Sequence, residues 1–471
     1  MACALTAVAA CASVRPADTR LPTGYEAPAG VADAVPLDRW WTAFEDPQLT
    51  ELVDQALANS PDAKAAAARL QEARAQRAGA LNVFLPQGAL VGSGRKTDST
   101  VTDLKSATAI PPNTPGFSLG GETENYGLNF DVSWEIDLFG RIFAAARAAN
   151  AEIAAARFSY EGARASLAAN VADSYFQARG LAIQLEDAQR TAAIRRDLLR
   201  ISTKRVEIGL AAGQDADRIA GDLSQADAQV ASLEAELQAQ RRTLLVLVGR
   251  GIDPIASLPV EASISAPPPV PASLPGELLA RRPDVREAEQ RMVSATGQLQ
   301  LANRALFPRF TLTPGFGLAK AVQPGLEYST RNWSIGGNVS VPVLDIPNLL
   351  TDIKVQDARA EQAVIAYEKA VQTAYSEAES TLVRLDADRR GVAVLTEGER
   401  RAERAYRASK TGYDLGLQDL QSALNNEQAW RATRSQLTAA QVQAARRAVQ
   451  AYKALGGGWP AETLPPGAKA R

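Results

Sequence analysis

The chain has 471 residues, and its 51 Lys and Arg against 53 Asp and Glu leave a formal charge of −2 and no basic excess for binding nucleic acid. Histidine is absent and both cysteines, Cys3 and Cys11, fall in the first eleven residues, so thiol catalysis, a transition-metal site and a disulfide framework are not expected. There is no run of about 18 apolar residues, which excludes a helical membrane span and leaves lipid, an interface or β-strands for any membrane role.

The chain opens on a short apolar run ending Val8-Ala9-Ala10-Cys11. Small residues before a cysteine resemble a bacterial lipobox. Residues 1-10 then read as a signal peptide shortened at its start, since no positively charged n-region precedes the run. Cys11 becomes the acylated first residue and carries a covalent lipid; no other cofactor is expected. The alternative is an ordinary cleaved signal peptide with a spectator cysteine. Ala12 after the cysteine, rather than aspartate, is the pattern of outer-membrane lipoproteins. Residues 11-59 form a lipid-anchored periplasmic segment, and its start is rich in Pro, Ala and Gly, as an extended tether would be.

The body of the chain is a duplication. Pro61 and Pro283 stand 222 apart, as do Pro86 and Pro308, and Arg69 matches Arg291 at the same spacing. Further on, Val132 matches Val339 and Gly209 matches Gly416, now 207 apart. The difference, 15 residues, is a loop insertion in the first half between Pro86 and Val132. The first repeat spans 60-250, with strands near 84-92 and 124-138 and a helical hairpin over 141-249. A Pro-rich connector over 251-281 leads to the second repeat, 282-456, with strands near 308-318 and 332-344 and a hairpin over 349-455. Residues 457-471 are a C-terminal tail. Asp62 and Asp284 stand where helix N-caps belong, and Glu287 follows Asp284 at capping-box spacing.

From Tyr126 to Leu138 apolar residues alternate with polar ones, giving a strand one apolar and one strongly polar face. The run exceeds the four to eight residues usual for soluble strands and matches the roughly ten-residue segments of transmembrane barrels. Trp333, Ile335 and Val339 repeat the pattern, as do Phe310, Leu312, Phe316 and Leu318. Four strands cannot close a membrane barrel, because lipid offers no partner for edge N–H and C=O groups and single-chain barrels begin at about eight. Three copies would supply twelve.

Between Arg141 and Val206 no proline interrupts an Ala-, Leu-, Arg- and Gln-rich run, which predicts a helix approaching about 100 Å. Its partner places Ile219, Leu223, Ala226, Val230, Leu233, Leu237, Gln240, Leu244 and Leu247 at coiled-coil spacing. Gly209 and Gly213 supply the turn between the two.

Four segments bring a family into view. They are Trp40-Trp41 with Phe44-Glu45-Asp46-Pro47, Val132 through Arg141 (VSWEIDLFGR), Leu278 through Val285 (LLARRPDV) and Lys453 through Trp459 (KALGGGW). In this order they resemble the TolC/OprM family of outer-membrane efflux channels, and most closely its NodT-type lipoprotein branch. The resemblance implies a mainly α protein with membrane β-structure: a homotrimer whose 12-stranded β-barrel is continued by a 12-helix α-barrel, four strands and two long helical hairpins per protomer. It further implies the outer membrane, a passive channel rather than an enzyme, and partnership with a periplasmic adaptor and an inner-membrane RND-type pump. Adaptor contact falls at the hairpin tips, on Gly209, Leu210, Gly416 and Leu417. In such channels a ring of aspartates closes the periplasmic entrance. Asp215, with Asp217 beside it, matches that pattern in the first hairpin; the second carries Ser422 and Asn425, a departure that makes the constriction less negative. Type I secretion or metal efflux is the alternative within transport, and a periplasmic adaptor lipoprotein the alternative from another class.

Overall fold

A computed structural model describes residues 15–27, 37–100, 121–209, 212–271, 275–323, 325–415 and 417–457. Two compact units divide them. The strand-bearing unit takes in Glu72–Ile153 and Gln290–Val364, and the helical unit Ala17–Gln71, Ala154–Glu289 and the chain from Ile365 onward. In order, a 3-10 segment over Leu37–Phe44 precedes α1 (Pro47–Asn59), α2 (Pro61–Asn82), β1 (Gln87–Ser99), β2 (Gly121–Ile136), α3 (Arg141–Glu207) and α4 (Gly213–Leu247). The connector holds a 3-10 turn at Ile255–Ser257 and α5 (Glu277–Arg281), before α6 (Pro283–Arg304), β3 (Arg309–Gln323), β4 (Leu326–Ser340), α7 (Ile346–Asp414) and α8 (Leu420–Ala454).

The duplication is visible element by element. Helices α2 and α6 both have 22 residues, α4 and α8 both 35, and α3 and α7 have 67 and 69. Length on this scale follows from composition: α3 is Ala-rich and free of proline, so nothing removes a hydrogen bond for about 100 Å. The helices beginning at Pro61 and Pro283 take their proline as first residue, where a missing N–H costs nothing. The cap positions are therefore Ser60, whose Oγ accepts the Asp62 N–H at 3.3 Å, and Arg282; Asp62 and Asp284 lie inside the first turn. At the other end, Gly249 and Gly456, again 207 apart, stop α4 and α8 with φ of +79° and +78°. A Cβ on Gly249 would lie 2.8 Å from the Asn59 carbonyl oxygen, and one on Gly456 would lie 2.9 Å from the Cβ of Arg281. Asn59 and Arg281 are themselves repeat mates.

All four strands form one antiparallel sheet in the order β1-β2-β3-β4. Gln87 faces Ser133 in the first hairpin and Arg309 faces Ser340 in the second, so the two shifts map one register onto the other. β1 extends to Ser99, beyond the reach of its hydrophobic pattern, and β4 ends at Ser340 before Pro342. The core of the helical unit is aromatic: Trp40 stacks on Tyr452 at 5.8 Å, and Phe44 meets Phe176 at 5.0 Å. All nine seam positions of α4 from Ile219 to Leu247 are buried or half-buried. Among the described residues no helix is long and apolar enough to cross a membrane.

Candidate functional site

The register sorts the sheet into two faces. Residues directly opposite one another in neighbouring strands share a face, and each face takes every second residue. On one face stand Leu90 of β1, Leu128, Phe130, Val132, Trp134 and Ile136 of β2, Phe310, Leu312, Phe316 and Leu318 of β3, and Trp333, Ile335 and Val339 of β4. Most of this surface lies open: Leu90 is 66% exposed, Trp333 78% and Ile335 67%. Apolar area of this extent left in water is unfavourable, at about 25 cal/mol per Å². Tyr126 to Ile136 is ten residues along the strand, which at about 3.3 Å each and a tilt of about 40° spans about 25 Å, the height of a barrel's lipid-facing band.

Charge bounds the band at one end. Lys96 pairs with Glu122 at 2.8 Å and Lys320, directly opposite Tyr126, with Glu327 at 2.5 Å, and all four belong to the apolar face's alternation. Both pairs are exposed. They contribute little to stability, but they mark where the band gives way to a polar surface.

The opposite face carries Asn125, Asn129, Asp131, Asn332, Ser334 and Asn338 among glycines. The glycines have a steric cause. A Cβ on Gly317 would stand 2.6 Å from Asn129 Oδ1, and one on Gly336 would stand 2.8 Å from Thr313 Oγ1. Polar side chains lie down over their glycine neighbours, which keeps this face low as well as polar. Such a surface suits the wall of a water-filled lumen.

The helical unit holds the second region of interest, the hairpin tips. Arg218 on α4 donates to Gln421 Oε1 on α8 at 3.0 Å, and Gln421 Nε2 donates to Asn425 Oδ1 at 2.9 Å. Asp419 caps α8 by accepting the Ser422 N–H at 2.6 Å, and that bond to the charged form holds its carboxyl below the ordinary range.

A family model for outer membrane efflux proteins matches residues 52–250 and 274–457. The chain belongs to the outer membrane efflux protein family. The pyoverdine export outer membrane protein OpmQ of Pseudomonas aeruginosa is 28% identical over 439 residues, covering 92% of this chain and 90% of that protein. The toluene efflux pump outer membrane protein TtgC of Pseudomonas putida is 27% identical over 453 residues, 93% of this chain and 88% of its own length. Among solved structures, the outer-membrane channel OprN superposes with a TM-score of 0.76 at 26% identity, covering 95% and 97% of the two chains. The Campylobacter jejuni CmeC outer membrane channel, at 20% identity and a TM-score of 0.79, covers 96% of this chain and 94% of its own and shares the fold.

This efflux protein is therefore an outer-membrane transport component, of a family of channel proteins, and the adaptor-lipoprotein reading falls away. Asp217 is an exposed residue in the first turns of α4, Ser422 is half-buried and hydrogen-bonded to Asp419, and Asn425 is exposed and tied to Gln421. Gly209 ends the turn after α3 with φ +75°, and Leu417 is 78% exposed. Cys11, Leu210 and Gly416 lie outside the described residues, as does the side chain of Asp215. Sequence reasoning missed Arg218 and Gln421, which tie the two tips together. The signal available was the four-residue spacing of Gln421 and Asn425, which puts both on one face of a helix.

Proposed function

We propose that three copies of this efflux protein form the exit duct of a tripartite export system, joined through a periplasmic adaptor to an inner-membrane RND-type pump. One observation carries the reading: a four-stranded sheet with a lipid-grade apolar face, a polar glycine-rich face, and edges on β1 and β4 that no strand among the described residues pairs. In a bilayer such edges must find partners, and further copies are the source that preserves the alternation of faces. Three copies give twelve strands with the polar face inward. Conduction is passive, and the pump supplies the free energy. Drugs or other small toxic solutes are the expected cargo, in keeping with relatives named for pyoverdine export and toluene efflux. Adaptor contact falls to the hairpin tips, on Gly209, Leu210, Gly416 and Leu417, and an acyl chain on Cys11 adds a second hold on outer-membrane lipid.

The periplasmic entrance is assigned to Asp215, Asp217, Ser422 and Asn425. Asn425 sits one hydrogen bond from Gln421, which receives Arg218, so a cation lies close to the position where related channels carry aspartate. Planar-bilayer recording of the detergent-purified protein tests the whole assignment. Discrete conductance steps and a native mass of three protomers are expected, with Asn425→Asp raising the cation-to-anion permeability ratio. An absence of steps at the mass of a single protomer would refute the duct, and unchanged selectivity would remove Asn425 from the entrance.

A further inference from the structure

The polar face of the sheet carries few charges, and their positions give the bore a sign. Alternation and register put four charged side chains on this face: Arg95 of β1, Asp131 and Glu135 of β2, and Arg309 of β3. β4 adds none, since Glu327 and Arg331 stand opposite Val322 and Leu318 on the other face. Glu135 is neutralised by Arg141 at 2.6 Å, and both of these side chains are mostly covered. Arg95, Asp131 and Arg309 are exposed, and none of them forms an ion pair among the described residues. Two cations against one anion leave each copy a surplus of one positive charge on this face. In sequence, residues 101–120 between β1 and β2 contain only Asp103 and Lys105 as charged residues, so they add no formal charge.

The three free charges are evenly spaced along the strands. Arg95 stands opposite Asn125, six residues along β2 from Asp131, and Asp131 stands opposite Gly315, six residues along β3 from Arg309. Six residues at about 3.3 Å each and a tilt of about 40° make about 15 Å of barrel height. Three copies therefore stack a ring of arginines, a ring of aspartates and a second ring of arginines. The middle ring is held close to the wall. Asp131 Oδ1 lies 3.3 Å from where a Cβ on Gly315 would be, with Ser334 Oγ 3.0 Å from the same point. The arginines are longer and present weakly hydrated guanidinium groups suited to carboxylate and phosphate. On the lipid-facing alternation, by contrast, Lys96 and Lys320 are each matched to a glutamate.

We propose that the bore formed by this sheet favours anions, and that the cargo it passes bears carboxylate, phosphate or sulfonate groups, with Arg95 and Arg309 setting the preference. This deepens the duct reading of the preceding subsection and rests on it. Cationic cargo drawn by Asp131 is the opposite choice. The arginines outweigh it because they are more numerous and flank the aspartate ring on both sides, so a solute meets a positive ring first from either direction. Rings of Arg or Lys are how anion pores discriminate, and between them the lining is of neutral amides, hydroxyls and glycines. Ser422 and Asn425, in place of aspartate at the entrance assigned above, lower the barrier to the same class of solute.

Planar-bilayer recording with two ions of similar size and opposite charge, gluconate and N-methylglucamine, tests the sign. Under a gradient of their salt near 0.1 M, the reversal potential should give a gluconate-to-N-methylglucamine permeability ratio above one. Arg95→Gln with Arg309→Gln should lower that ratio at least threefold, each single variant should lower it less, and Asp131→Asn should raise it. Arg95→Lys with Arg309→Lys keeps the charge and should keep the ratio. Lys320→Gln, on the lipid-facing alternation, should leave the ratio unchanged. The preference should shrink near 1 M salt, where the Debye length falls to about 3 Å. A ratio at or below one in the unaltered protein, or one that the glutamine variants do not move while native mass still shows three protomers, overturns the anion assignment and leaves the duct standing. An absence of conductance steps at the mass of one protomer brings down the duct reading itself.

Discussion

Asp46 shows how much one side chain organises in the helical unit. Its Oδ1 accepts the N–H groups of Gln48 and Leu49 at 3.0 and 3.1 Å, capping α1, and its Oδ2 accepts the Tyr175 hydroxyl at 2.8 Å and the Arg179 guanidinium. Arg179 is buried and also reaches Ser263 Oγ at 2.6 Å, so three separated segments of chain close on one ion pair. Burial first, and then the Asp46 carboxylate, push the Tyr175 phenol well above its ordinary pKa, which keeps it a neutral donor at any physiological pH. Asp46→Ala should therefore cost about 3 kcal/mol, since it removes a cap and leaves the buried Arg179 only the exposed Glu261, 3.3 Å away, as a carboxylate partner. Asp46→Asn keeps the cap and should cost less. Thermal unfolding in detergent, followed by circular dichroism, measures both; equal loss in the two variants would mean that the charge contributes nothing. The Asp46-Pro47 pair is a legible helix start in sequence. Its link to Arg179 is not, because 133 residues separate the partners and nothing local marks the pairing.

At the scale of elements, legibility followed side-chain pattern. β2 was readable because its alternation is unbroken from Tyr126 to Ile136. β1 was harder, for a reason the sheet makes plain: Gly88, Gly92 and Gly94 occupy its apolar face and are covered from β2 by Val132, Leu128 and Tyr126. A strand whose neighbour supplies its hydrophobic surface carries little signal of its own. The long helices were legible from the absence of proline and the α4 seam, whereas the bridge between tips depends on Arg218 and Gln421, polar residues with no periodic signature. The faces of β2 yield a direct test. Leu128→Arg places a charge in the apolar band and should cost about 2–4 kcal/mol of membrane insertion, read as a loss of protein from the outer-membrane fraction. Asn125→Lys, on the polar face of the same strand, should leave the yield unchanged. Equal yields for both would mean that the faces are misassigned.

For the whole molecule, lipid and sheet are two separate holds on the membrane, and they should be separable. Cys11→Ser should abolish incorporation of labelled palmitate while leaving a detergent-stable oligomer, because the sheet's apolar face does not depend on an acyl chain. Label that persists in this variant would overturn Cys11 as the acylation site. The duplication makes the whole more predictable than its parts: two numerical shifts, read from prolines and glycines, reproduce hairpin register, helix lengths and cap positions alike. The two outer strands have a further consequence, in time rather than space. A copy that has formed its hairpins but met no other exposes two rows of unpaired backbone groups, each a template for any extended chain. Its lifetime in that state depends on how many like copies are nearby, so folding here is a race whose outcome is set by concentration and not by sequence alone. Slow, dilute synthesis favours capture by the wrong strand; a local burst of synthesis favours the right one.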